Sequence, residues 1–203
     1  MVRDDLTMTK TLLHVGCGPT NKYSLKGFGS DDWLELRLDI DEKVKPDIIG
    51  TLTDLSGVES SSVDVVYSSH SIEHIFSHEV QLALKEFMRV LKPNSCAVIK
   101  CPDMLNVCRE VSEGNLTEVI YESSAGPITP LDVIYGFGKI IKSGNEYMAH
   151  KTGFTFVTLD QALKDAGFTK VFGGNYNKYN LGVIAFNSDV DAEYMQSLGG
   201  AYF

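Results

Sequence analysis

One stretch decides the fold of this chain: Leu12-Leu13-His14-Val15-Gly16-Cys17-Gly18-Pro19-Thr20. Apolar residues lead up to two glycines one residue apart, as happens where a buried strand turns sharply into a loop. Glycine adopts positive φ without strain and lets a ligand approach the backbone closely. A glycine pair is also common in ordinary turns, so its function depends on which residues follow it and at what spacing.

Composition sets the class of the protein. The chain has 203 residues, the size of one domain with a full hydrophobic core, and 43% of them are hydrophobic. Its net charge of -9 argues against nucleic acid or an anionic membrane surface as the main partner. We find no apolar run near the ~18 residues that span a bilayer. The acidic N-terminus is unlike a secretory signal, so we expect a cytosolic protein.

The four cysteines predict neither a metal site nor a disulfide framework. Cys17, Cys96, Cys101 and Cys108 lack paired C-x-x-C spacing, and a chain of this size needs no disulfide. Cys96 and Cys101 flank the apolar run 97–99, which indicates buried free thiols.

Apolar runs alternate with helical periodicity along the first half of the chain. Buried strands are predicted at 12–15, 33–38, 46–50, 63–69 and 97–100. A helix is predicted from Ile72 to Leu91, stopped by Lys92-Pro93-Asn94.

The second half is less regular until it nears its end. A helix is predicted over 106–119, and a second one from the N-cap Thr158 to Ala166, with Gly167 as its C′ residue. Two last strands, 169–172 and 181–186, are joined by the short connection 173–177 and should pair antiparallel.

This alternation predicts an α/β, doubly wound fold around a mostly parallel sheet, closed at one edge by an antiparallel hairpin. We expect a single domain over residues 1–203. Within it, residues 104–155 mix glycine, aromatic and polar residues, which favours a substrate-facing insertion or lid.

Acidic residues follow two of the predicted strands. In a doubly wound sheet, ligands bind beyond the carboxyl ends of the strands. Asp39 lies 21 positions after Gly18, close to the spacing at which a carboxylate accepts hydrogen bonds from a ribose. Asp54 follows the next strand, where a carboxylate can meet an adenine amino group. Each acid alone would also suit a solvated loop.

Together these segments resemble the successive motifs of class I S-adenosylmethionine-dependent methyltransferases, of the type 11 kind. The motifs that carry the resemblance are Leu13-His14-Val15-Gly16-Cys17-Gly18, Leu38-Asp39-Ile40-Asp41, Thr53-Asp54-Leu55 and the run from Val63 through Ser68-Ser69-His70-Ser71-Ile72-Glu73-His74, followed by Phe87-Met88-Arg89-Val90-Leu91-Lys92-Pro93. They extend over about residues 10–103, and the closing hairpin carries the similarity to about residue 187. The resemblance implies a seven-stranded Rossmann-like sheet and S-adenosyl-L-methionine as the cofactor.

The resemblance also implies roles for individual residues. His14, Gly16, Cys17 and Gly18 would meet the methionine part of the cofactor, and Asp39 with Ile40 its ribose. Asp54 and the backbone of Leu55 would meet the adenine, while Ser68 and Ser69 would line the wall beside the sulfonium and the acceptor. A sulfonium needs no phosphate-binding machinery, which fits a loop without the lysine of a P-loop.

The sequence departs from the family pattern at two positions. His14 stands where an acid usually precedes the first glycine, and Thr20 stands near the place of a third glycine. Relatives acting on saccharide or lipid-linked substrates have similar substitutions, and Tyr147 with the run 150–154 resembles a late motif of that group. The implied acceptor is a small molecule or saccharide, methylated on oxygen or, second, on nitrogen.

His70, His74 and His78 are four residues apart, which would place them on one face of a helix. His70 and His74 are the candidates for a general base, since imidazole titrates near neutral pH. The same stretch spells H-x-x-E-H, a pattern of inverted zinc peptidases, but its place inside the methyltransferase motifs favours no metal.

Two other functions stay open at this point. A nicotinamide-dependent dehydrogenase shares the strand, glycine and acid pattern, although Gly16-Cys17-Gly18-Pro19-Thr20-Asn21 lacks its last glycine. A catalytically silent methyltransferase-like scaffold is the alternative from another class. The oligomeric state is not predicted.

Overall fold

The computed structural model describes residues 9–203 and contains a seven-stranded sheet and a separate hairpin. The strands are β1 (Lys10–Val15), β2 (Trp33–Asp39), β3 (Ile48–Ile49), β4 (Val63–Ser69), β5 (Leu91–Pro102), β6 (Tyr121–Ser123), β7 (Gly126–Ile128), β8 (Lys170–Asn177) and β9 (Asn180–Phe186). The sheet order is β3-β2-β1-β4-β5-β9-β8, with β6 and β7 forming the hairpin. Neighbours from β3 to β5 are parallel, whereas β9 is antiparallel to both β5 and β8. The predicted fold class is confirmed.

Within the described residues there are six α-helices. They are α1 (Val80–Val90), α2 (Met104–Ser112), α3 (Pro130–Tyr135), α4 (Gly138–Lys142), α5 (Phe156–Asp165) and α6 (Ala192–Tyr202). Short 3-10 turns lie at Lys22–Ser24, Glu42–Val44, Ile72–His74, Ser77–Glu79 and Glu146–Met148. None of these helices has the length and apolar character needed to pass through a bilayer.

The two faces of the sheet are covered differently. On one face, α1 and α5 pack on alternate strand residues such as Leu13, Val66 and Ile99. On the other face, α6 and the loop after β1 cover Leu12, Val65 and Val98. Phe28 from that loop stacks on Tyr202 of α6, with ring centroids 4.7 Å apart. No helix was predicted at the position of α6.

The helix predicted over 72–91 is shorter than expected. It begins at Val80, and two 3-10 turns precede it. Ile75 and Phe76 are extended, and the Glu79 carboxylate accepts the Phe76 N–H at 2.8 Å, so the backbone is held outside a helix. His70, His74 and His78 therefore do not share a helix face.

Three other predicted boundaries also shift. The first helix of the second half is α2, which ends at Ser112 rather than continuing to Val119. Thr155, not Thr158, caps α5, because the two threonines exchange side-chain and backbone hydrogen bonds. Gly167 has φ of +107° after this helix, as predicted. The predicted connection 173–177 is instead the continuation of β8, because these residues pair with β9.

Residues 104–155 contain α2, the β6–β7 hairpin, α3 and α4. The β6–β7 hairpin pairs Ser123 with Gly126, so its turn consists of residues 124 and 125. A small hydrophobic cluster of Val107, Ile128 and Val133 with Tyr179 from the β8–β9 turn holds the segment together. A bridge between Asp103 and Phe154 brings its two ends together. That the segment is an insertion or lid stays a prediction.

Candidate functional site

A cavity of about 700 Å³ lies at the carboxyl edge of β1, β2 and β4. Its wall is formed by the loops after these strands and by part of the later segment; the lining includes Gly16–Thr20, Asp39–Asp41, Gly50–Thr53, Ser69–Ser71, His74, Asn145, Tyr147, Met148 and Lys151. This volume falls in the usual range of small-molecule sites. The edge at which it lies is where open α/β sheets bind their ligands.

The loop after β1 contains two glycines, of which Gly16 is tightly packed and Gly18 is open. Gly16 has φ of +61°, and a Cβ there would lie 2.3 Å from the Ser71 side-chain oxygen. Gly18 has φ of +53° and nothing within 4 Å of the same position. The Cys17 N–H donates to the Leu38 carbonyl at 3.2 Å, and burial raises the pKa of its thiol to about 11. Cys17 therefore contributes backbone rather than a nucleophile.

The guanidinium of Arg37 holds this loop from outside the cavity. It donates to the carbonyls of Gly18 (2.7 Å) and Thr20 (3.0 Å) in the first loop. It also donates to those of Val44 (3.2 Å) and Lys45 (2.9 Å) in the loop after β2. One side chain thus fixes two of the cavity's walls relative to each other.

His14 lies in the wall beside the loop and is paired with a carboxylate on the next strand. Its Nδ1 is 2.9 Å from Glu35 Oε1, while Glu35 Oε2 accepts the Lys22 N–H at 2.8 Å. Burial lowers the pKa of His14 and outweighs the opposing effect of Glu35. In the neutral form, Nδ1–H donates to Glu35 and Nε2 keeps its lone pair as an acceptor.

The carboxylate of Asp39 is fixed by two backbone donors. Oδ2 accepts the Gly18 N–H at 2.8 Å, and Oδ1 accepts the Asp41 N–H at 2.9 Å. A carboxylate has about four lone-pair sites, so acceptor capacity remains for a ligand hydroxyl. Ile40 follows it in the lining with its side chain partly exposed.

The structure does not bring Asp54 and Leu55 to this cavity. The Asp54 N–H donates to the Thr51 carbonyl, and the Asp54 carboxylate accepts the Ser56 N–H at 3.0 Å, which turns the side chain towards solvent. The Leu55 N–H is bound by Glu86 Oε2 at 2.9 Å, and its side chain is buried in the core. The wall at this point is formed by residues 50–53 instead.

Of the two serines at the end of β4, one lines the cavity. Successive strand residues point to opposite faces of a sheet. Ser69 is in the lining, whereas Ser68 is fully buried on the face covered by α1 and α5. Ser68 therefore lies behind the wall rather than at the cofactor or acceptor.

His70 and His74 both line the cavity, and the backbone at His70 has φ of +51°. The His70 N–H donates to the Lys100 carbonyl at 2.8 Å, and the ring Nδ1 is 3.2 Å from Glu73 Oε1. Enclosure by the protein by itself would lower the pKa of His70, but the adjacent Glu73 carboxylate outweighs it and the pKa is raised. The His70 side chain remains 45% exposed.

Glu73 is almost completely buried behind the two histidines. Its backbone carbonyl accepts the N–H groups of Lys151 (2.8 Å) and Thr152 (3.2 Å), which ties the later segment to this wall. Burial would raise the pKa of its carboxyl, but His70, His74 and His150 together lower it. His150 is itself buried enough to lower the pKa of its imidazole.

Sequence reasoning missed four residues of this site: Glu35, Arg37, Glu73 and His150. Glu35 and Arg37 precede Asp39 at alternate positions of a strand, which places all three side chains on one face. That alternation was the available signal. Glu73 and His150 lie inside motifs that carry the family resemblance, but neither of them was predicted to have a role in the site.

Comparisons with known proteins agree with this arrangement. Residues 13–99 match the family described as methyltransferase domain. A search of curated proteins found no match.

Several solved structures share the fold. A possible exported protein from Bordetella parapertussis is 14% identical, with a TM-score of 0.57; the match covers 89% of this chain but 62% of that one, less than two thirds of its length. A SAM-dependent methyltransferase from Archaeoglobus fulgidus is 15% identical, with a TM-score of 0.55, and 87% of this chain and 86% of that one are covered.

A third similar structure is the 1,6-didemethyltoxoflavin-N1-methyltransferase of Burkholderia thailandensis, solved with 1,6-didemethyltoxoflavin and S-adenosylhomocysteine. It is 12% identical with a TM-score of 0.55, covering 88% of this chain and 71% of that one. At such identities the structural likeness concerns the fold alone, and the sequence match covers residues 13–99. S-adenosylmethionine is the cofactor of that family, as the motifs predict. The chain is thus similar to the methyltransferase-domain family over residues 13–99, and it shares its fold with solved S-adenosylmethionine-dependent methyltransferases.

Proposed function

We propose that this protein binds S-adenosylmethionine in the cavity and transfers a methyl group to a hydroxyl oxygen of a small, saccharide-type acceptor. One observation carries the proposal. The Asp39 carboxylate, the open side of Gly18 and the exposed ring of His70 all face the same cavity of about 700 Å³. A cofactor subsite and a basic group for the acceptor are thus within one enclosure.

The residues present fit the methionine and ribose parts of this cofactor. Gly18 offers a backbone surface without a side chain, and Asp39 offers carboxylate oxygens that suit ribose hydroxyls. The Nε2 lone pair of His14 suits the cofactor's ammonium group, with the charge of Glu35 behind it. When bound, the cofactor supplies an electrophilic methyl group on a sulfonium.

We assign the adenine contact to residues 51–53 rather than to Asp54 and Leu55. These residues lie in the lining after β3, where the Thr51 and Thr53 hydroxyls are hydrogen-bonded to each other at 3.0 Å. Ile40 and Leu52 add apolar surface in the lining. An aromatic base needs such surface with a few polar groups at its edge.

At the other end of the cavity, we propose that the ring of His70 accepts the proton of the acceptor hydroxyl. Glu73 Oε1 lies 3.2 Å from Nδ1 and would stabilise the imidazolium that forms. His74 is held by the Ala149 carbonyl at 3.2 Å from its Nδ1, so its role here is to shape the wall. Methyl transfer is an in-line displacement, for which positioning supplies much of the rate and a base adds to it.

The acceptor side is polar and partly aromatic. Asn145, Tyr147 and Lys151 line it, and Tyr147 is 52% exposed. An aromatic ring next to amide and ammonium donors suits the apolar face and the hydroxyls of a saccharide. This set of lining residues favours a hydroxyl-rich acceptor over an apolar one.

A cytosolic location remains a prediction from the amino-acid composition.

Isothermal titration with S-adenosylhomocysteine tests the cofactor site. The wild type should bind. Asp39→Ala should weaken binding roughly 30- to 100-fold, since one charge-assisted contact contributes about 2–3 kcal/mol. Asp54→Ala removes an equal charge outside the cavity and should change affinity less than twofold. Absence of binding by the wild type, or equal effects of the two variants, would refute the assignment of the cofactor to this cavity.

Turnover separates this proposal from the two other functions. A labelled-methyl assay over a panel of hydroxylated and aminated saccharides should give a methyl ether with at least one hydroxylated member, and His70→Ala should reduce kcat while leaving S-adenosylhomocysteine affinity unchanged. Cofactor binding without transfer to any member would favour the silent scaffold. Binding of a nicotinamide dinucleotide in place of S-adenosylhomocysteine would favour the dehydrogenase.

A further inference from the structure

Glu73, His74 and His150 form a cluster at the cavity wall, next to the base His70 of the proposed methyl transfer. We propose that these three side chains bind a divalent transition-metal ion, with Zn²⁺ as the representative member of the class. The site is independent of the cofactor subsite, which lies at the glycine loop and Asp39.

The three residues are close enough to share one ion. One ligand atom from each of them lies within 4.8 Å of the others. The rings of His74 and His150 meet edge to face, with centroids 4.8 Å apart and an interplanar angle of 72°. Zinc-bound nitrogen and oxygen atoms lie about 2.0–2.2 Å from the metal, so small side-chain movements would close the site.

Each histidine is held in the orientation that metal ligands adopt. His74 Nδ1 is 3.2 Å from the Ala149 carbonyl, and His150 Nδ1 is 2.7 Å from the Val133 carbonyl. A carbonyl accepts and cannot donate, so Nδ1 carries the proton in both rings. Nε2 then keeps its lone pair when the ring is neutral, as metal-binding histidines with a backbone carbonyl behind them do.

The carboxylate of Glu73 lacks the partners that its burial demands. The residue is 1% exposed, and neither side-chain oxygen has a hydrogen-bond donor within residues 9–203. The nearby His70 Nδ1 lies 3.2 Å from Oε1 but not in hydrogen-bonding geometry. A buried carboxylate without hydrogen-bond donors is costly unless a cation neutralises it. A metal ion held by Glu73 and one ring nitrogen of each histidine would satisfy all three groups.

The donor set selects the class of ion. Two imidazoles and one carboxylate suit Zn²⁺, Fe²⁺ or Co²⁺, whereas Mg²⁺ and Ca²⁺ prefer oxygen ligands only. Three protein ligands leave a coordination position open for water or another ligand. His74 also lines the large cavity, so the ion would lie at its wall. The sequence could not predict this site, because His150 is 76 positions from His74.

Cobalt is the most direct probe, because Co²⁺ bound by histidine absorbs in the visible range. Metal-free protein without a histidine tag would be titrated with CoCl₂, and with ZnCl₂ by calorimetry. The wild type should take up one equivalent, with new visible bands. His150→Ala should weaken binding roughly 100-fold or more, since losing an outer-shell partner of a ligand already costs about 10- to 100-fold. His78→Ala removes an exposed histidine outside the cluster and should bind like the wild type.

Circular dichroism would establish that each variant is folded, and His74→Ala repeats the test should His150→Ala not fold. No cobalt bands from folded wild type would overturn the proposal. Equal binding by His150→Ala and His78→Ala would also overturn it. S-adenosylhomocysteine titration with and without a chelator keeps the two proposals apart, since the cofactor subsite contains none of these ligands.

Discussion

Gly16 and Gly18 are separated by one residue and have similar backbone angles, yet they should respond very differently to alanine. The Cβ of Gly16→Ala would lie 2.3 Å from the Ser71 Oγ and 2.6 Å from the Ser71 Cβ. Ser71 is buried, so it has little room to move. The Cβ of Gly18→Ala would have no atom within 4 Å.

The magnitudes follow from these contacts. A non-glycine residue at positive φ costs about 1–2 kcal/mol, and both variants incur this cost. Only Gly16→Ala also forces an overlap in a packed region, which typically costs about 1–3 kcal/mol. We therefore expect a loss of about 2–5 kcal/mol in the free energy of unfolding for Gly16→Ala, and about 1–2 kcal/mol for Gly18→Ala.

Urea unfolding followed by circular dichroism measures both values, provided that the transition is two-state with an unchanged m-value. Adding Ser71→Gly to the Gly16→Ala variant removes the overlapping atoms and should recover about 1–2 kcal/mol relative to the sum of the single changes. If the two alanine variants lost the same stability, or if the double variant showed no coupling, the packing of Gly16 against Ser71 would not be what requires glycine.

Three further predictions concern other parts of the structure. Arg37→Ala should lower the free energy of unfolding by about 2 kcal/mol and weaken S-adenosylhomocysteine binding about tenfold. Arg37→Lys should restore neither quantity, because one ammonium cannot reach all four carbonyls that the guanidinium contacts. The pKa of His14 is lowered from 6.5, so below pH 6.5 the unfolded chain binds a proton that the folded chain does not, and its contribution to stability falls with decreasing pH. Unfolding measured from pH 8 to 5 should show a shallower decline for His14→Gln than for the wild type, and an identical slope would contradict the burial of a neutral ring. A thiol reagent should modify Cys108 rapidly in the native protein and the three buried cysteines only after unfolding; fast reaction of all four would refute this.

Most strands could be predicted because their signal is local, whereas their order in the sheet was not predicted. Apolar runs such as 63–69 fix a buried strand, and a glycine pair or an acid at its end fixes which edge of the sheet it reaches. Asp39 was predicted at the cavity for this reason, and it lies there. This reasoning fails for Ser68 and Ser69, which were both predicted to line the cavity. Adjacent residues of a strand point to opposite faces of the sheet, so only Ser69 lines it.

Asp54 was misplaced because β3 has only two residues, too few to show alternation, and the turn at 51–54 then decides where the side chain points. The helix α6 was missed for another reason. It contains two consecutive glycines, Gly199 and Gly200, which disfavour a helix by themselves. The helix is stabilised instead by the packing of Tyr202 and its neighbours on the sheet.

His14 shows how the fold can compensate for a departure from a sequence pattern. An acid at this position would place its charge directly beside the cofactor's ammonium. In this chain the charge lies on Glu35 of the neighbouring strand, 2.9 Å from Nδ1 of His14, and His14 itself lines the cavity. Because Nδ1 donates to the carboxylate, the tautomer is fixed and Nε2 keeps its lone pair. Under the proposed function, the role of the absent acid would be divided between two residues that are adjacent only in the folded sheet, which the motif alone does not reveal.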